Sequence, residues 1–279
     1  MYISFVSGKG GTGKTIISTS FALSIEKGNY FDLDVEEPNG YIFLKPDIEK
    51  VEDFNLPFPE INESICTFCK KCEEVCAYNA ISIIPPIKKA LVFDDLCHSC
   101  GACSYVCPVD KALVEVDKRI GEVRVGKAGE LRFVEGRLDI GQASGVPLIS
   151  GIIKNYLNKD ELNIVDSPPG SSCPVVESIK RSDFIIIVTE PTPFGLSDMS
   201  LIVDVVLDMK KKLGVIVNKA SDNISELESY LKEKGIPILM KVPYKIEIQE
   251  NYSKGIPLIE TLPEFKEKFI NLYEKLKNE

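Results

Sequence analysis

The chain has 279 residues, 44% of them hydrophobic and 27% charged, with a formal net charge of −9 at pH 7. That length builds one large domain or two smaller ones around a sizeable core. The acidic balance excludes nucleic acid as the main partner, because phosphate binding needs a basic face. No apolar run reaches the roughly 18 residues that a membrane span needs.

The opening residues, MYISFVSGKG, pass straight into a predicted strand and its loop. They leave no room for a secretory leader, and a cytoplasmic location is expected. In chain order, YISFVS (2–7) is strand-like, and KTIISTSFALSIEKG (14–28) reads as a helix closed by Gly28. A second short strand ends at NYFDLD (29–34). FLKPDIEKVEDFNLPFPEI then reads as an irregular connector punctuated by proline. Between residues 61 and 118 cysteines crowd the chain and apolar content drops. The stretch from VEVDKRIGEV onward suggests short antiparallel strands. ELNIVD (161–166), DFIIIVTE (183–190), LGVIVNK (213–219) and IPILMKVP (236–243) are near-continuous apolar runs of the kind buried in parallel sheets, with helical stretches between them. The alternation predicts an α/β fold, a doubly wound and mainly parallel sheet over 1–60 and 119–279, with 61–118 inserted as a small domain. The last helical stretch, EFKEKFINLYEKLKNE, puts Phe265, Phe269, Leu272 and Leu276 on one face. That is the pattern of a helix packed on a core rather than on a membrane.

Residues Gly8, Lys9, Gly10, Gly11, Thr12, Gly13, Lys14 and Thr15 fit G-x-x-x-x-G-K-[ST] between a strand and a helix. Glycines there let backbone N–H groups converge on phosphate oxygens, and the helix N-terminus adds its dipole. Lys14 is expected on the β- and γ-phosphates, with the Thr15 hydroxyl on Mg²⁺. The extra lysine in GKGGTGKT resembles the deviant P-loop of the MinD/ParA superfamily, to which Mrp-type proteins and the nitrogenase iron protein also belong. The resemblance implies a P-loop ATPase that binds ATP and ADP as a homodimer, with Lys9 reaching the partner copy's nucleotide. It also matches Asp32 and Asp34 in FDLDVEEPN to a first switch region, with Asp34 orienting the attacking water. Asp166 in VDSPPG matches a Walker B aspartate holding Mg²⁺ through water, although aspartates at strand ends also serve as helix caps. Asn218 matches a base-contacting asparagine. A guanine reader typically shows N-K-x-D, and Ser221 in NKAS leans towards adenine, with Asp222 one residue later.

Cys66, Cys69, Cys72 and Cys76 have the spacing C-x2-C-x2-C-x3-C. Cys97, Cys100, Cys103 and Cys107 repeat it, followed by Pro108. Structural disulfides do not suit a reducing compartment, and this spacing suits metal ligation. The pattern resembles two-cluster bacterial ferredoxins, where the fourth cysteine of each run ligates the other cluster. That implies one 4Fe–4S cluster on Cys66, Cys69, Cys72 and Cys107, and a second on Cys76, Cys97, Cys100 and Cys103. Zinc also accepts four thiolates, but the C-x2-C-x2-C triplet is dense for a tetrahedral ion. Ala77 stands where the ferredoxin pattern has proline, and the only histidine, His98, reads as a neighbour of the cluster rather than a ligand. The ninth cysteine, Cys173, reads as a small buried residue near a helix start, or as a redox group at a dimer interface.

The whole chain resembles MinD-superfamily P-loop ATPases containing an inserted ferredoxin-like α+β domain. The expected cofactors are Mg-ATP and two 4Fe–4S clusters. Three functions follow from the resemblance: nucleotide-controlled electron transfer to a redox protein partner, an iron–sulfur carrier, or a MinD-like switch that senses redox state.

Overall fold

The structure, a computed structural model, describes residues 1–220 and 224–278. It divides into two compact units. Unit 1 comprises Met1–Val51, Val123–Arg137 and Ile149–Glu279; unit 2 comprises Glu52–Glu122 and Leu138–Leu148. The cysteine-dense run at 61–118 lies inside unit 2, whose chain begins earlier and takes in a second segment.

The described strands are β1 (Tyr2–Val6), β2 (Gly28–Asp32), β3 (Asp47–Ile61), β4 (Ile81–Ile84), β5 (Lys89–Val92), β6 (Leu113–Ala128), β7 (Leu131–Leu138), β8 (Asn163–Asp166), β9 (Phe184–Thr189), β10 (Lys212–Ala220) and β11 (Ile238–Pro243). Nine of them form one sheet in the order β11-β10-β9-β1-β8-β2-β7-β6-β3. From β11 through β7 every neighbouring pair is parallel. This is the doubly wound α/β architecture the alternation predicts. β9 is buried at all six positions, FIIIVT, because helices cover both faces of such a sheet.

Helices Lys14–Ile25 and Glu264–Lys277 pack on one face, where Phe21 meets Phe269 edge-on at 6.0 Å between ring centres. Phe265, Phe269, Leu272 and Leu276 are all buried in that core. The C-terminal helix is thus a packed element, and no described helix is long and apolar enough to cross a membrane. On the opposite face Val175, Met199, Ile202 and Leu227 pack against β9 and β10. The chain runs from β1 out to β2 on one side, returns to β8 beside β1, and then crosses to β9, β10 and β11 on the other side. The carboxyl end of β1 is therefore a topological switch point, where ligands of open α/β sheets bind.

Three local expectations are revised. The supposed connector, 43–61, begins in the last residues of a short helix, Gly40–Leu44, and continues as the 15-residue strand β3. β3 is last in the sheet order, and an edge strand tolerates Pro57 and Pro59 because one row of its N–H groups needs no partner. The stretch expected as short antiparallel strands holds the 16-residue β6, longer than expected; β6 meets its neighbour β7 across a two-residue link, as antiparallel strands do, while β7 also runs parallel to β2. Gly28 does not close the first helix. Glu26 does, at φ 60°, and Gly28 opens β2.

In unit 2, β4 and β5 form an antiparallel hairpin with Ile81 opposite Val92. Two single-turn helices, Lys71–Val75 and Ala102–Val106, carry cysteines. The buried apolar cluster there consists of Ile81, Ile83, Cys103 and Leu113, a core too small to hold a fold by burial alone.

Candidate functional site

The loop leaving β1 enters the helix Lys14–Ile25 at Gly13, which has φ +88°. A Cβ on Gly13 would overlap the Asn218 side chain, and one on Gly8 would overlap the Asp198 backbone. Close approach thus requires glycine at both positions. Gly10 to Thr15, Asp34, Asn39, Asn218, Lys219, Tyr244 and Tyr252 line a cavity of about 320 Å³, at the small end of ligand-sized pockets. Thr12 Oγ1 and Asn39 Oδ1 are buried without a hydrogen-bond partner. Both belong to residues lining the cavity, so its wall has unmet polar capacity for a polar ligand.

Lys14 Nζ donates to Asp166 Oδ1 at 2.7 Å, and the Thr15 hydroxyl donates to Asp166 Oδ2 at 2.6 Å. Asp34 lies 3.9 Å from the same ammonium. Burial alone would lower the Lys14 pKa, but Asp166 and Asp34 outweigh it and hold the group above its ordinary value. Burial pushes Asp34 up to about 6, against the pull of Lys14. The two aspartates of FDLD divide their roles. Asp32 is fully buried and its carboxylate accepts the amides of Asp34, Asn39 and Gly40, so it shapes the turn. Asp34 faces the cavity. Asn218 donates through Nδ2 to Thr12 O at 2.7 Å, tying β10 to the loop. Ser221 and Asp222 lie outside the described residues.

Lys9 is not part of the cavity wall. Its Nζ pairs with Glu190 Oε1 at 2.6 Å, and Lys219 Nζ reaches Glu190 Oε2 at 3.1 Å. Sequence reading passes over Glu190 and Lys219. The available signal is position: Glu190 follows β9 as Asp166 ends β8, both at the carboxyl end of parallel strands.

In unit 2 the thiols group across the two runs. Cys66, Cys69, Cys72 and Cys107 line one cavity, and Cys76, Cys97, Cys100 and Cys103 line another. Backbone amides point at sulfur: Phe68 N to Cys66 at 3.3 Å, Ala80 N to Cys76 at 3.2 Å and Ser99 N to Cys97 at 3.5 Å. Such donors favour a thiolate. Among the described residues no three His, Cys, Asp or Glu side chains converge as a single-ion site; each thiol quartet surrounds a cavity instead. Burial pushes the Cys72 thiol up to about 11, while the amide of Lys71 holds surface Cys69 below its ordinary range. His98 stacks on Tyr78 at 3.7 Å between ring centres, and both line the second cavity. Cys173, expected to be buried, is exposed at the start of the helix Cys173–Ile179.

A parallel sheet with a glycine-rich phosphate loop at its switch point defines a P-loop nucleotide-binding protein. Residues 3–258 match the CobQ/CobB/MinD/ParA nucleotide binding domain family (CbiA), and the chain belongs to that family. Uncharacterized protein MJ0579 of Methanocaldococcus jannaschii is 31% identical over 260 residues, covering 91% of this chain and 90% of its own. The cell division ATPase MinD of Pyrococcus furiosus shares the fold at a TM-score of 0.60 and 18% identity, over 99% of this chain and 98% of its own. A 54-residue stretch, 19% of this chain, is 43% identical to 8% of indolepyruvate oxidoreductase subunit IorA of Pyrococcus abyssi.

Proposed function

We propose that this chain is a homodimeric, ATP-hydrolysing iron–sulfur protein in which nucleotide state governs electron transfer through two 4Fe–4S clusters to a redox protein partner. The observation that carries the reading is the sorting of eight cysteines into two crossed quartets, in one chain with a phosphate loop. The crossed sets match the ligand pattern of two-cluster ferredoxins. Four thiols with amide donors to sulfur are a donor set suited to such a cluster. Cys66, Cys69, Cys72 and Cys107 would hold one, and Cys76, Cys97, Cys100 and Cys103 the other. When bound, each cluster supplies a one-electron redox centre.

At the nucleotide end, Lys14 exchanges Asp166 for the β- and γ-phosphates. The Asp166 carboxylate and the Thr15 hydroxyl, already 2.6 Å apart, are hard oxygen donors of the kind Mg²⁺ takes. Asp34, at the cavity wall, orients water towards the γ-phosphate in its ionised form, and Lys9 meets the phosphates bound by a second copy. Asp34 and Asp166 sit on chain segments that respond to a γ-phosphate in P-loop switches. The chain passes through unit 2 between these two segments, which is the basis for linking nucleotide state to redox state.

An anaerobic redox titration followed by EPR, with and without Mg-ATP, tests the coupling. Two signals whose midpoints shift with nucleotide are expected; by linkage, ATP then binds oxidised and reduced protein with different affinity. Unmoved midpoints together with ATP-dependent delivery of iron and sulfide to an apo-acceptor would replace this reading with the carrier.

A further inference from the structure

Of the loop Gly8–Thr15, Gly10 through Thr15 wall the nucleotide cavity, whereas Lys9 turns outward. Its ammonium lies 2.6 Å from Glu190 Oε1. The same carboxylate takes Lys219 at Oε2, and Lys219 also donates to Gly11 O at 3.0 Å. Glu190 is well placed to fix what it touches, because its own backbone is fixed. Its carbonyl accepts the Thr192 amide at 2.8 Å, and a Cβ on Gly195 would overlap that carbonyl. At the other end, the Ser7 hydroxyl donates to Lys9 O at 2.9 Å and pins the base of the lysine. The Glu190 side chain is 15% exposed and that of Lys9 34%. The carboxylate is therefore sheltered while the ammonium can still be reached from outside. Burial alone would raise Glu190, but its two lysines outweigh that and hold it ionised below its ordinary value.

We propose that Glu190 is a positioning residue for Lys9: an internal counter-ion that competes with the phosphate chain bound by a second copy. The inference rests on the reading above that Lys9 acts across a homodimer. Lys9 cannot bond the Glu190 carboxylate and a distant phosphate at once, so association must break the pair in both copies of a two-fold dimer. A phosphate chain displaces the carboxylate more readily as its charge grows. Breaking the pair costs the same with either nucleotide, so Glu190 sets a threshold that the more highly charged triphosphate clears more readily than the diphosphate. Lys219 stays behind on Glu190 and Gly11 O, so the loop keeps its shape when Lys9 leaves.

The test is sedimentation velocity on the full chain, purified anaerobically with its iron, using Mg-ADP and Mg-adenylyl imidodiphosphate as probes. Glu190→Gln removes the competing charge but keeps a hydrogen-bond acceptor. Each partly exposed pair contributes roughly three-fold, so Glu190→Gln should tighten association about ten-fold for two pairs with either nucleotide, which brings the Mg-ADP dimer towards measurable concentrations. Glu190→Asp, which keeps the charge on a shorter arm, should give an intermediate gain. A residue that only braced the loop would weaken association when replaced, so unchanged or weaker association in both Glu190 variants overturns the proposal. An equal gain from Lys219→Ala, with the Lys9 pair intact, overturns it as well. Lys9→Ala separates the two levels of inference. If it leaves association untouched, the role of Lys9 across the dimer fails first; if it abolishes association while the Glu190 variants show no gain, the dimer reading stands and the counter-ion proposal falls.

Discussion

Replacing Asp34 by Asn should make the nucleotide-free protein more stable while abolishing ATP turnover. The carboxyl is 14% exposed and faces one ammonium at 3.9 Å. Burial is the largest influence on it and raises it from 3.8 to about 6; Asp166, Glu37 and Glu36 add to the rise, and Lys14 opposes it. A carboxyl with a raised folded pKa binds its proton more tightly in the folded than in the unfolded chain. Its contribution is therefore favourable below the unfolded value, and is lost as pH rises through about 6. At 1.36 kcal/mol per tenfold change in proton affinity, the ionised group costs the fold about 3 kcal/mol at pH 7. Asn keeps the shape and omits the charge. By calorimetry without nucleotide or Mg²⁺, Asp34→Asn should melt roughly 6 °C or more higher at pH 7, and the gain should shrink to about 0.5 kcal/mol at pH 4. A variant that is less stable at pH 7, or whose gain persists undiminished at pH 4, would refute the reasoning.

The same carboxyl makes turnover pH-dependent: kcat/KM should fall as pH drops through about 6, read from initial rates of phosphate release. Lys14→Met leaves Asp166 buried without its cation, and breaking such a pair costs about 3–5 kcal/mol; both nucleotide binding and thermal stability should drop, as read by calorimetry with and without ATP. Cys107→Ser should erase the same EPR signal as Cys66→Ser, whereas Cys76→Ser should erase the one lost in Cys97→Ser, since the quartets cross between runs. Gly8→Ala forces a methyl into the Asp198 backbone; overpacking of this kind costs about 1–3 kcal/mol, visible as a lower melting temperature.

How much the sequence reveals depends on whether a residue acts through local spacing or through distant partners. The phosphate loop is legible because one short segment carries its glycines, Lys14 and Thr15. The buried strands are legible because both their faces are covered. β3 is not: Phe54, Leu56 and Phe58 do alternate with Asn55, Pro57 and Pro59, but the first half of the strand is charged and irregular and the prolines mimic a connector. Asp32 and Asp34 look alike in sequence; only the amides of Asn39 and Gly40, folded back onto Asp32, separate the turn-forming residue from the one facing the cavity. Glu190 escapes notice because its partners lie 181 residues before it and 29 after. The burial expected of Cys173 fails because the helix it opens presents that turn to solvent.

Chain order also sets a timetable. All eight quartet cysteines precede residue 108, whereas β8 and β9, which flank β1, and β10 beyond β9 bring Asp166, Glu190 and Asn218 to the phosphate loop and come after residue 162. At synthesis rates of about 5–20 residues per second, the ribosome delivers every thiol several seconds before the nucleotide cavity has its far wall. In the growing chain, both thiol quartets are complete before the nucleotide cavity is.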